Sequence, residues 1–388
     1  MITITKNRGE IMTIKLYDTY PYETSFQANV VSCTKCEKGY DVVLDQTLFF
    51  PEEGGQNCDK GTINNIAVVD VQIENDTIHH YLSSSIAGNI TGLIDFDYRY
   101  SNMQNHSGEH ILSGLVHSLY GFNNVGFHLG DNEITTDYDG FLTKEQLNEI
   151  EEKVNQVILN NIPIKCYYPK NIKELEYRSK KEIDGDIRIV EIENIDICAC
   201  CAPHVRSTSE IGLFKIVKAM KHKKGIRIYF LCGQRAIKDY QIKHDEVITI
   251  SNLLSSPAYL VSQNVQRVLD ENTQLKQTIS MLKKQMIDEK CQSLLLSDYH
   301  IEFVEDMERS LQQYYLNQLL EKSQKMAAVF VQEQNNYRFM IASSTDARIY
   351  LHFLKDKLTV KGGGKKEMVQ GTIMASQKEI CDVLKNHI

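Results

Sequence analysis

The feature that most constrains the fold is a run of mostly apolar residues whose spacing alternates between four and three positions. These residues are Leu254, Ala258, Val261, Val265, Val268, Asn272, Leu275, Ile279, Leu282 and Met286. Heptad spacing sustained over roughly four heptads predicts a long helix with one apolar seam, which is typical of a coiled coil. Asn272 falls at an a-type position, where a buried amide fixes register and favours two strands. An intramolecular helical hairpin, with a partner face from residues 294–296 and 311–320, is the alternative.

The segments that precede this seam show other patterns. Short β-rich runs broken by Gly, Asn and Asp precede residue 95, and helical periodicity follows over about 101–120 and again over 144–159. Thr143 is a plausible N-cap for the second helix, with Gln146 three residues on. The expected fold class is therefore α+β, in four parts: an N-terminal small β-barrel at 12–95, an α+β domain at 96–245, a helical coiled coil at 250–322 and a small C-terminal α/β domain at 323–388.

Composition limits the class of protein and its compartment. The 388 residues are 42% hydrophobic and 24% charged, which is ordinary for a globular chain of two to three domains. No stretch approaches the ~20 apolar residues of a membrane helix, and the ten cysteines favour reduced thiols or metal ligation over disulfides. We expect a cytoplasmic protein with no membrane partner.

Two half-sites have the spacing of metal ligands. His106-Ser-Gly-Glu-His110 lies on the first predicted helix, where residues at i and i+4 share one face. Cys198-Ala-Cys-Cys-Ala-Pro-His204 presents thiolates and an imidazole from a segment that Pro203 prevents from being a continuous helix. Nitrogen and sulfur ligands suit a tetrahedral Zn2+. Cys200 stands four residues before His204, but Cys198 and Cys201 stay open as the sulfur ligand.

Glu109 allows a different interpretation of the first half-site. His106-Ser-Gly-Glu-His110 also fits the H-x-x-E-H pattern of inverted zinc peptidases, in which the glutamate is the catalytic general base. Such peptidases would require a carboxylate as the third ligand, rather than a downstream Cys-His pair. Glu109 is equally consistent with a solvated helix residue.

Lysines are concentrated in two places although the formal net charge is −8. One cluster comprises Lys215, Lys218, Lys221, Lys223, Lys224 and Arg227, and the other comprises Lys355, Lys357, Lys361, Lys365 and Lys366. The negative net charge argues against indiscriminate coating of nucleic acid. Either cluster could be a phosphate track or ordinary solvated surface.

Four ordered motifs carry a family resemblance. The first runs from Thr47 to Gln56 (TLFFPEEGGQ), the second from Asn105 to Leu112 (NHSGEHIL), the third from Cys200 to Ile216, and the fourth is Gly362-Gly-Gly-Lys-Lys-Glu-Met-Val-Gln-Gly371. Together they resemble the editing and C-terminal domains of alanyl-tRNA synthetase and the long form of the free-standing AlaX-type alanyl-tRNA editing proteins. Glu53 stands where that family usually has a glycine, and Cys201-Ala-Pro203 replaces its Gly-Gly-Thr; the resulting Pro-His is similar to the threonyl-tRNA synthetase editing domain.

The resemblance implies a role for each motif. His106, His110, Cys200 and His204 take the metal-ligand positions, Thr47 takes a position that senses the hydroxyl of mischarged serine, and Gln56 lies in the same wall. Apart from the resemblance, we expect the backbone N–H groups of Gly54 and Gly55 to bind substrate by receiving developing oxyanion charge, and a purely structural tight turn is the alternative. The glycine-rich C-terminal segment would bind tRNA through Lys361, Gly362, Gly363, Gly364, Lys365 and Lys366.

The function implied is hydrolysis of tRNA(Ala) mischarged with serine or glycine by a zinc-dependent deacylase that has no aminoacylation domain. The part at 96–245 would be the zinc-binding editing domain. The coiled coil and the C-terminal domain would make a homodimer and grip the tRNA. A zinc-stabilised tRNA-binding module without catalytic activity, and a zinc peptidase, are the alternatives.

Overall fold

The structure, a computed structural model, describes residues 12–131, 133–179 and 186–386. Residues 132, 180–185, 387 and 388, which fall within the expected domains, lie outside this described part. The chain divides into two compact units, Met1–Glu246 and Val247–Ile388. Both combine helices and strands, so the α+β class is confirmed. Within the described residues no helix has the length and apolar character needed to span a membrane.

The first unit begins with a strand, a short helix and the strands of a barrel. In chain order these elements are β1 (Ile14–Lys15), α1 (Leu16–Thr19), β2 (Ser25–Cys36), β3 (Gly39–Leu44), β4 (Gln46–Thr47), β5 (Gly61–Ile63), β6 (Ile66–Glu74), β7 (Thr77–Leu82) and β8 (Asn89–Ile94). A closed barrel is formed in the order β2-β3-β7-β6-β5-β8, and β8 pairs antiparallel with both β5 and β2. Alternate residues of β7 and β8 point inward, as expected for strands with one buried face.

The rest of the first unit surrounds a central helix. Its elements are α2 (Phe96–Tyr120), β9 (Asn124–Leu129), β10 (Ile134–Tyr138), α3 (Lys144–Leu159), β11 (Ile164–Tyr167), β12 (Ile189–Ile192), β13 (Asp196–Ala199), β14 (Phe214–His222) and β15 (Gly225–Cys232). One sheet has the order β14-β15-β10-β9 and the other β11-β12-β13. Both α2 and α3 contribute to a single hydrophobic core with these sheets.

Helix α2 positions the candidate site. It starts five residues earlier than the pattern predicted, because Asp95 caps it by accepting a hydrogen bond from the backbone N–H of Tyr98. It ends at Gly121, in the left-handed conformation. Gly108 lets the helix approach the sheet closely, since a Cβ there would lie 2.4 Å from the Sγ atom of Cys232. A buried ion pair between Arg99 and Asp59 joins the helix to the barrel.

The second unit is a sheet covered by helices on both faces. Its elements are α4, which begins in the first unit (Gly233–Leu253), α5 (Val261–Gln292), β16 (Ser297–Val304), α6 (Arg309–Glu321), β17 (Ser323–Glu333), β18 (Asn336–Ser343), α7 (Ala347–Lys357), β19 (Thr359–Gly364), β20 (Met368–Met374) and α8 (Gln377–Lys385). The sheet order is β16-β17-β18-β20-β19. Alternate residues of β17 pack against α7 and α8 on one face and against α5 and α6 on the other. Burial on both faces explains the continuous apolar run of β17.

The heptad seam and the predicted helical segment at 250–322 differ from the structure in two respects. Pro257 follows the end of α4, and α5 begins only at Val261, so Leu254 and Ala258 lie outside the seam helix. Proline lacks the N–H that a continuous helix needs. Residues 297–304, expected to be helical, form β16, which pairs in parallel with β17. Only the last turns of α5 are buried, at Ile287 and Cys291.

Candidate metal centre

Two histidines of α2 face the same point. His106 and His110 are each 2% exposed, and their rings stack with centroids 5.6 Å apart and an interplanar angle of 20°. They are four residues apart, which places them one helical turn apart on one face. The His half-site predicted from spacing is therefore formed by this helix.

The second half-site lies in the loop that follows β13. The guanidinium of Arg188 holds this loop, because its Nη1 donates to the carbonyl oxygens of Cys200 at 3.0 Å and Ala202 at 2.9 Å. Arg188 is itself 6% exposed. Since Pro203 prevents a helical path, these two carbonyls would otherwise lack the partners that buried polar groups require. The loop thus presents Cys200 and His204 toward α2.

The two half-sites converge. One potential ligand atom from each of His106, His110, Cys200 and His204 lies within 4.8 Å of every other. The Sγ atom of Cys200 is 3.5 Å from Nε2 of His106 and 3.4 Å from Nε2 of His204. The structure therefore brings together all four residues that the sequence indicated as ligands.

The orientation of the three imidazoles is fixed from outside the cluster. Nδ1 of His106 lies 2.8 Å from Oε1 of Gln56, and Nδ1 of His110 lies 2.8 Å from Oδ2 of Asp196. Nδ1 of His204 lies 3.0 Å from Oγ of Ser107. With each Nδ1 engaged, the Nε2 atoms are left for a metal, which is the usual arrangement around metal-binding histidines. The residues present thus fit a metal ion with nitrogen and sulfur ligands.

Electrostatics favour the same use of the cluster. Burial raises the pKa of the Cys200 thiol, but the electrostatic influence of the adjacent imidazoles of His106 and His204 and hydrogen bonds from His106 and His110 bring it well below its ordinary value. Burial lowers the pKa of His204 to about 3, so its imidazole is neutral at neutral pH. A thiolate and a neutral imidazole are the forms that bind metals.

The other two cysteines of this segment, one at the end of β13 and one in the loop, have different surroundings. Cys198 is 4% exposed and forms a second group with His110 and Asp196, whose potential ligand atoms lie within 4.8 Å of one another. Burial raises the pKa of the Cys201 thiol well above its ordinary value, and the charges of Cys200 and Glu53 raise it further. Cys201 belongs to neither group, and its Sγ atom lies beside the glycine turn, 3.5 Å from the position of a Cβ on Gly54.

The glycine motif forms a tight turn beside the cluster. Glu53 and Gln56 exchange backbone hydrogen bonds of 3.2 and 3.0 Å, and Gly54 and Gly55 between them have φ values of +64° and +85°. Two successive positive φ values are characteristic of a type I′ turn and favour glycine. A Cβ on Gly55 would also lie 2.3 Å from the carbonyl oxygen of Phe127. Gln56 is completely buried, and its Nε2 has no partner among the described residues.

Thr47 lies in the barrel interior with its hydroxyl already engaged. Oγ1 accepts a hydrogen bond of 3.0 Å from the backbone N–H of Phe49 and lies 2.9 Å from Nε2 of His80. Nδ1 of His80 lies 3.1 Å from the carbonyl oxygen of Val42 and so carries the proton. The hydroxyl of Thr47 therefore donates to Nε2 of His80, which leaves one oxygen lone pair for another donor.

Glu109 does not belong to the metal cluster. Its carboxylate is 2% exposed and accepts hydrogen bonds from the hydroxyl of Ser113 at 2.5 Å and from the side-chain amide of Asn124. Asn124 also donates to Thr136 at 2.9 Å, which connects α2 with β9 and β10. The alternative of a solvated helix residue is therefore wrong, and the surroundings are those of a buried structural network.

The C-terminal residues expected to bind tRNA lie in the second unit, described by itself. Lys361, Gly362, Gly363 and Gly364 belong to β19, an edge strand, and Lys365 and Lys366 follow it. All six are exposed. The carbonyl oxygen of Gly362 accepts a hydrogen bond of 2.9 Å from Lys355, which draws this lysine to the same strand.

The sequence patterns did not reveal the residues that support the ligands. Asp196, which binds His110, is in turn held by Arg178 through hydrogen bonds of 2.7 and 2.8 Å. The one available signal was an acidic residue within an otherwise apolar segment, Ile195-Asp-Ile-Cys198. Ser107 and Arg188 gave no signal, because their roles depend entirely on tertiary contacts.

Comparisons with known proteins agree with this geometry. A family profile described as "Threonyl and Alanyl tRNA synthetase second additional domain" matches residues 187–229, which include Cys200 and His204. The alanyl-tRNA editing protein AlaX-L of Pyrococcus horikoshii is 28% identical over 97% of this chain and 100% of its own length. The alanyl-tRNA editing protein Aarsd1 of Mus musculus is 30% identical over 65% of this chain and 68% of its own length.

Longer proteins and one solved structure also match. The alanine–tRNA ligase of Methanococcus aeolicus is 27% identical over 95% of this chain but only 42% of the ligase. The crystal structure of the C-Ala domain from Aquifex aeolicus alanyl-tRNA synthetase covers 23% of this chain and 87% of that domain, at 18% identity and a TM-score of 0.21. A TM-score of this size does not define a shared fold.

The barrel, the central helix and the His-Cys cluster occur in a chain that contains, at residues 187–229, a match to the second additional domain of threonyl- and alanyl-tRNA synthetases. Among proteins with this domain, the chain belongs to the alanyl-tRNA editing protein family.

Proposed function

We propose that this protein is a trans-editing hydrolase that cleaves the ester of tRNA(Ala) mischarged with serine or glycine. The observation that carries the proposal is the convergence of the Nε2 atoms and a thiolate in a chain of this family, with each Nδ1 atom engaged elsewhere. An imidazole and thiolate cluster of this kind suits a site that must bind and orient a polar ester.

Zinc is the metal that the donor set favours, because three nitrogens and one sulfur match its preferred tetrahedral ligands. His106, His110, Cys200 and His204 would hold it. When bound, it would polarise an ester carbonyl or a water. Substrate could bind the ion only if one of the four protein ligands dissociated or if the coordination number increased.

The chain's own groups can orient the ester. The backbone N–H groups of Gly54 and Gly55 have no hydrogen-bond partner among the described residues. These two N–H groups would donate to the oxyanion that develops on the carbonyl oxygen. The unpartnered Nε2 of Gln56 is a further donor in the same loop. Gly54 and Gly55 are exposed, whereas Gln56 is buried. An unpartnered buried donor is costly, so a substrate oxygen that accepts from Nε2 of Gln56 would gain binding energy.

Thr47 would contribute to the choice of amino acid. Its hydroxyl donates to His80 and accepts from Phe49, so the remaining lone pair can accept from a further donor such as the hydroxyl of serine. Alanine has no such donor and would leave this group unpaired. A second hydrolytic site is needed because an activating pocket discriminates such small differences by only about 1–3 kcal/mol.

The second unit would supply affinity for tRNA and a partner chain. The exposed lysines 361, 365 and 366 on the edge of its sheet are placed to neutralise phosphates. The α5 seam would pair with that of a second copy to form a homodimer, which doubles the number of contacts available to tRNA.

One substitution tests the proposal. Replacing His110 with alanine should abolish both zinc retention and the deacylation of seryl-tRNA(Ala), since it removes a ligand, the imidazole that Asp196 orients. His128, an exposed histidine of β9, provides the matched control, and its alanine variant should keep both properties. Full activity of the His110→Ala protein would refute the proposed role of the cluster.

Two other functions predict different results in the same assays. A zinc-stabilised tRNA-binding module, favoured by the four-ligand closure of the site, would bind tRNA and zinc but leave seryl-, glycyl- and alanyl-tRNA(Ala) intact. An H-x-x-E-H peptidase would cleave peptides. The peptidase is disfavoured because the Glu109 carboxylate already accepts hydrogen bonds from Ser113 and Asn124, away from the cluster.

A further inference from the structure

Among the described residues, only one imidazole of the metal cluster, that of His110, has a charged partner at its Nδ1 atom. This atom lies 2.8 Å from Oδ2 of Asp196, whereas Gln56 and Ser107, which contact the other two imidazoles, are neutral. The side chain of Asp196 is 1% exposed. A carboxylate so deeply buried is costly unless it has a positive partner and hydrogen-bond donors for its oxygens.

Arg178 supplies the positive partner and the donors. Its Nε donates to Oδ1 of Asp196 at 2.7 Å and its Nη2 donates to Oδ2 at 2.8 Å, so the planar guanidinium and the carboxylate make a bidentate pair. Oδ2 is therefore shared between Arg178 and the imidazole of His110. Since the guanidinium fixes the plane of the carboxylate, it also fixes the direction from which His110 is held.

The backbone of Arg178 is anchored to the strand that carries Asp196. Its N–H donates to the carbonyl oxygen of Ile197 at 2.8 Å, and its carbonyl oxygen accepts from the N–H of Ala199 at 2.9 Å. Both of these partners belong to β13, as Asp196 does. Main chain and side chain thus hold the guanidinium in one place, which a group that orients another must have.

We propose that Arg178 is a positioning residue of the metal centre, which acts on His110 through Asp196. The inference rests on the proposed use of the cluster to bind zinc. The positive charge of Arg178 opposes that of a metal ion, so charge alone predicts tighter metal binding when the guanidinium is removed. Orientation predicts weaker binding, because supporting groups around metal ligands contribute roughly 10- to 100-fold to metal affinity.

Zinc affinity of the full-length protein, measured by competition with a chelator, separates these two effects. Arg178→Met should weaken zinc binding by about 10-fold or more. It should also change the visible absorption of bound Co2+, which reports the geometry of the ligands. Arg227 provides the matched control, because it makes the same bidentate contact with Asp137, at 2.6 and 2.7 Å, outside the cluster. Arg227→Met should leave zinc affinity and the Co2+ spectrum unchanged.

A double-mutant cycle establishes whether Arg178 acts through Asp196. Asp196→Asn alone should lower zinc affinity, because the charged acceptor of His110 is lost. Adding Arg178→Met to that variant should lower the affinity little further, since residues that act through one contact are not additive. Losses that simply add would show that Arg178 affects the metal by another route.

Chemical rescue distinguishes positioning from a general loss of folding. Arg178 and Asp196 lie in the wall of a crevice of about 840 Å³, and the side chain of Arg178 is 19% exposed, so a small cation can reach the carboxylate from outside. Millimolar guanidinium chloride should therefore restore zinc affinity to Arg178→Ala but not to Asp196→Asn. A misfolded variant would not be restored.

Any of three results would overturn the inference: unchanged or raised zinc affinity in Arg178→Met, additive losses in the double variant, or no rescue by guanidinium. Deacylation of seryl-tRNA(Ala) by the wild-type protein is measured in parallel. If the protein binds zinc and deacylates but Arg178→Met binds zinc as the wild type does, the positioning role fails and the function stands. If zinc binding depends on Arg178 but deacylation is absent, the function fails and the positioning role stands. A wild-type protein that binds no zinc refutes both.

Discussion

Oε1 of Gln56 lies 2.8 Å from Nδ1 of His106, and this hydrogen bond joins the loop between two barrel strands to the helix that carries half of the metal cluster. The same loop carries Gly54 and Gly55, so the proposed substrate contacts and the ligands are connected by a single side chain. A shift of the barrel would therefore change the orientation of the His106 ring in the cluster.

Replacing Gln56 with leucine should lower zinc affinity by about 10- to 100-fold, because His106 would lose the acceptor that fixes its ring. Competition with a chromophoric chelator measures this. Gln27, exposed on β2, gives a control substitution of the same chemistry that should not change the affinity. Equal affinities for the two variants would show that Gln56 does not orient His106.

Replacing Glu109 with glutamine should reduce stability rather than catalysis. The carboxylate accepts hydrogen bonds from Ser113 and Asn124 in a buried network. The NH2 group of a glutamine side chain is a donor, so it would face the donors of these two residues and leave buried polar groups unpaired. We expect a loss of about 1–3 kcal/mol in the free energy of unfolding, with the deacylation rate nearly unchanged at saturating substrate. A large loss of rate in a protein of normal zinc content and thermal midpoint would instead make Glu109 catalytic.

The barrel should lose stability in mildly acidic solution because of His80. Burial lowers the pKa of His80 to about 4, below the ordinary value of 6.5, so the unfolded chain binds a proton that the folded chain does not. This contribution is fully present above pH 6.5 and is lost as the pH falls toward 4, by about 3 kcal/mol in total.

Urea unfolding between pH 7 and 4.5 tests this contribution. The His80→Gln variant should show a shallower decline in stability than the wild-type protein. His128→Gln, which changes an exposed imidazole, should follow the wild-type curve. Parallel curves for all three proteins would mean that His80 does not titrate as its burial implies.

The α5 seam should decide the oligomeric state. Leu275, Ile279 and Leu282 are 61%, 51% and 50% exposed, so apolar heptad positions face solvent in the isolated chain. Replacing Leu275 and Leu282 with glutamate should convert a dimer to a monomer, since charges cannot be buried in the seam without a partner. Sedimentation at several concentrations measures this. Gln277→Glu, on the opposite face of the helix, is the control, and an unchanged mass in the double variant would exclude the seam as an interface.

Structural features that depend on residues close together in the chain were predicted correctly from the sequence. Helix α3 has the predicted bounds, Lys144–Leu159, because Thr143 and Gln146 form a complete capping box. The histidine pair of α2 came from its i and i+4 spacing, whereas spacing left the sulfur ligand open and only the family resemblance selected Cys200. The apolar runs at Met326 and Phe339 likewise became β17 and β18.

Features that depend on distant partners could not be read in this way. In β16, Tyr299, Ile301 and Phe303 alternate with polar residues and pack on the core, but the strand pairs in parallel with β17 across an intervening helix, a partner that its own sequence does not indicate. Asp196 and Ser107 became ligand supports only when β13 packed against α2. Pro257 indicates a helix break, but the heptad spacing continues on both sides of it and predicted one uninterrupted helix.

The separation of the two half-sites along the chain has a consequence for assembly. Cys200 and His106 are 94 positions apart, and the intervening chain builds two strands of one sheet, all of another and the helix α3. During synthesis, the helix bearing both histidines emerges long before the loop that completes the cluster. Closure of so long a segment must precede the meeting of all four ligands. Metal would therefore enter a nearly finished domain, and the supply of the ion would limit maturation rather than the onset of folding.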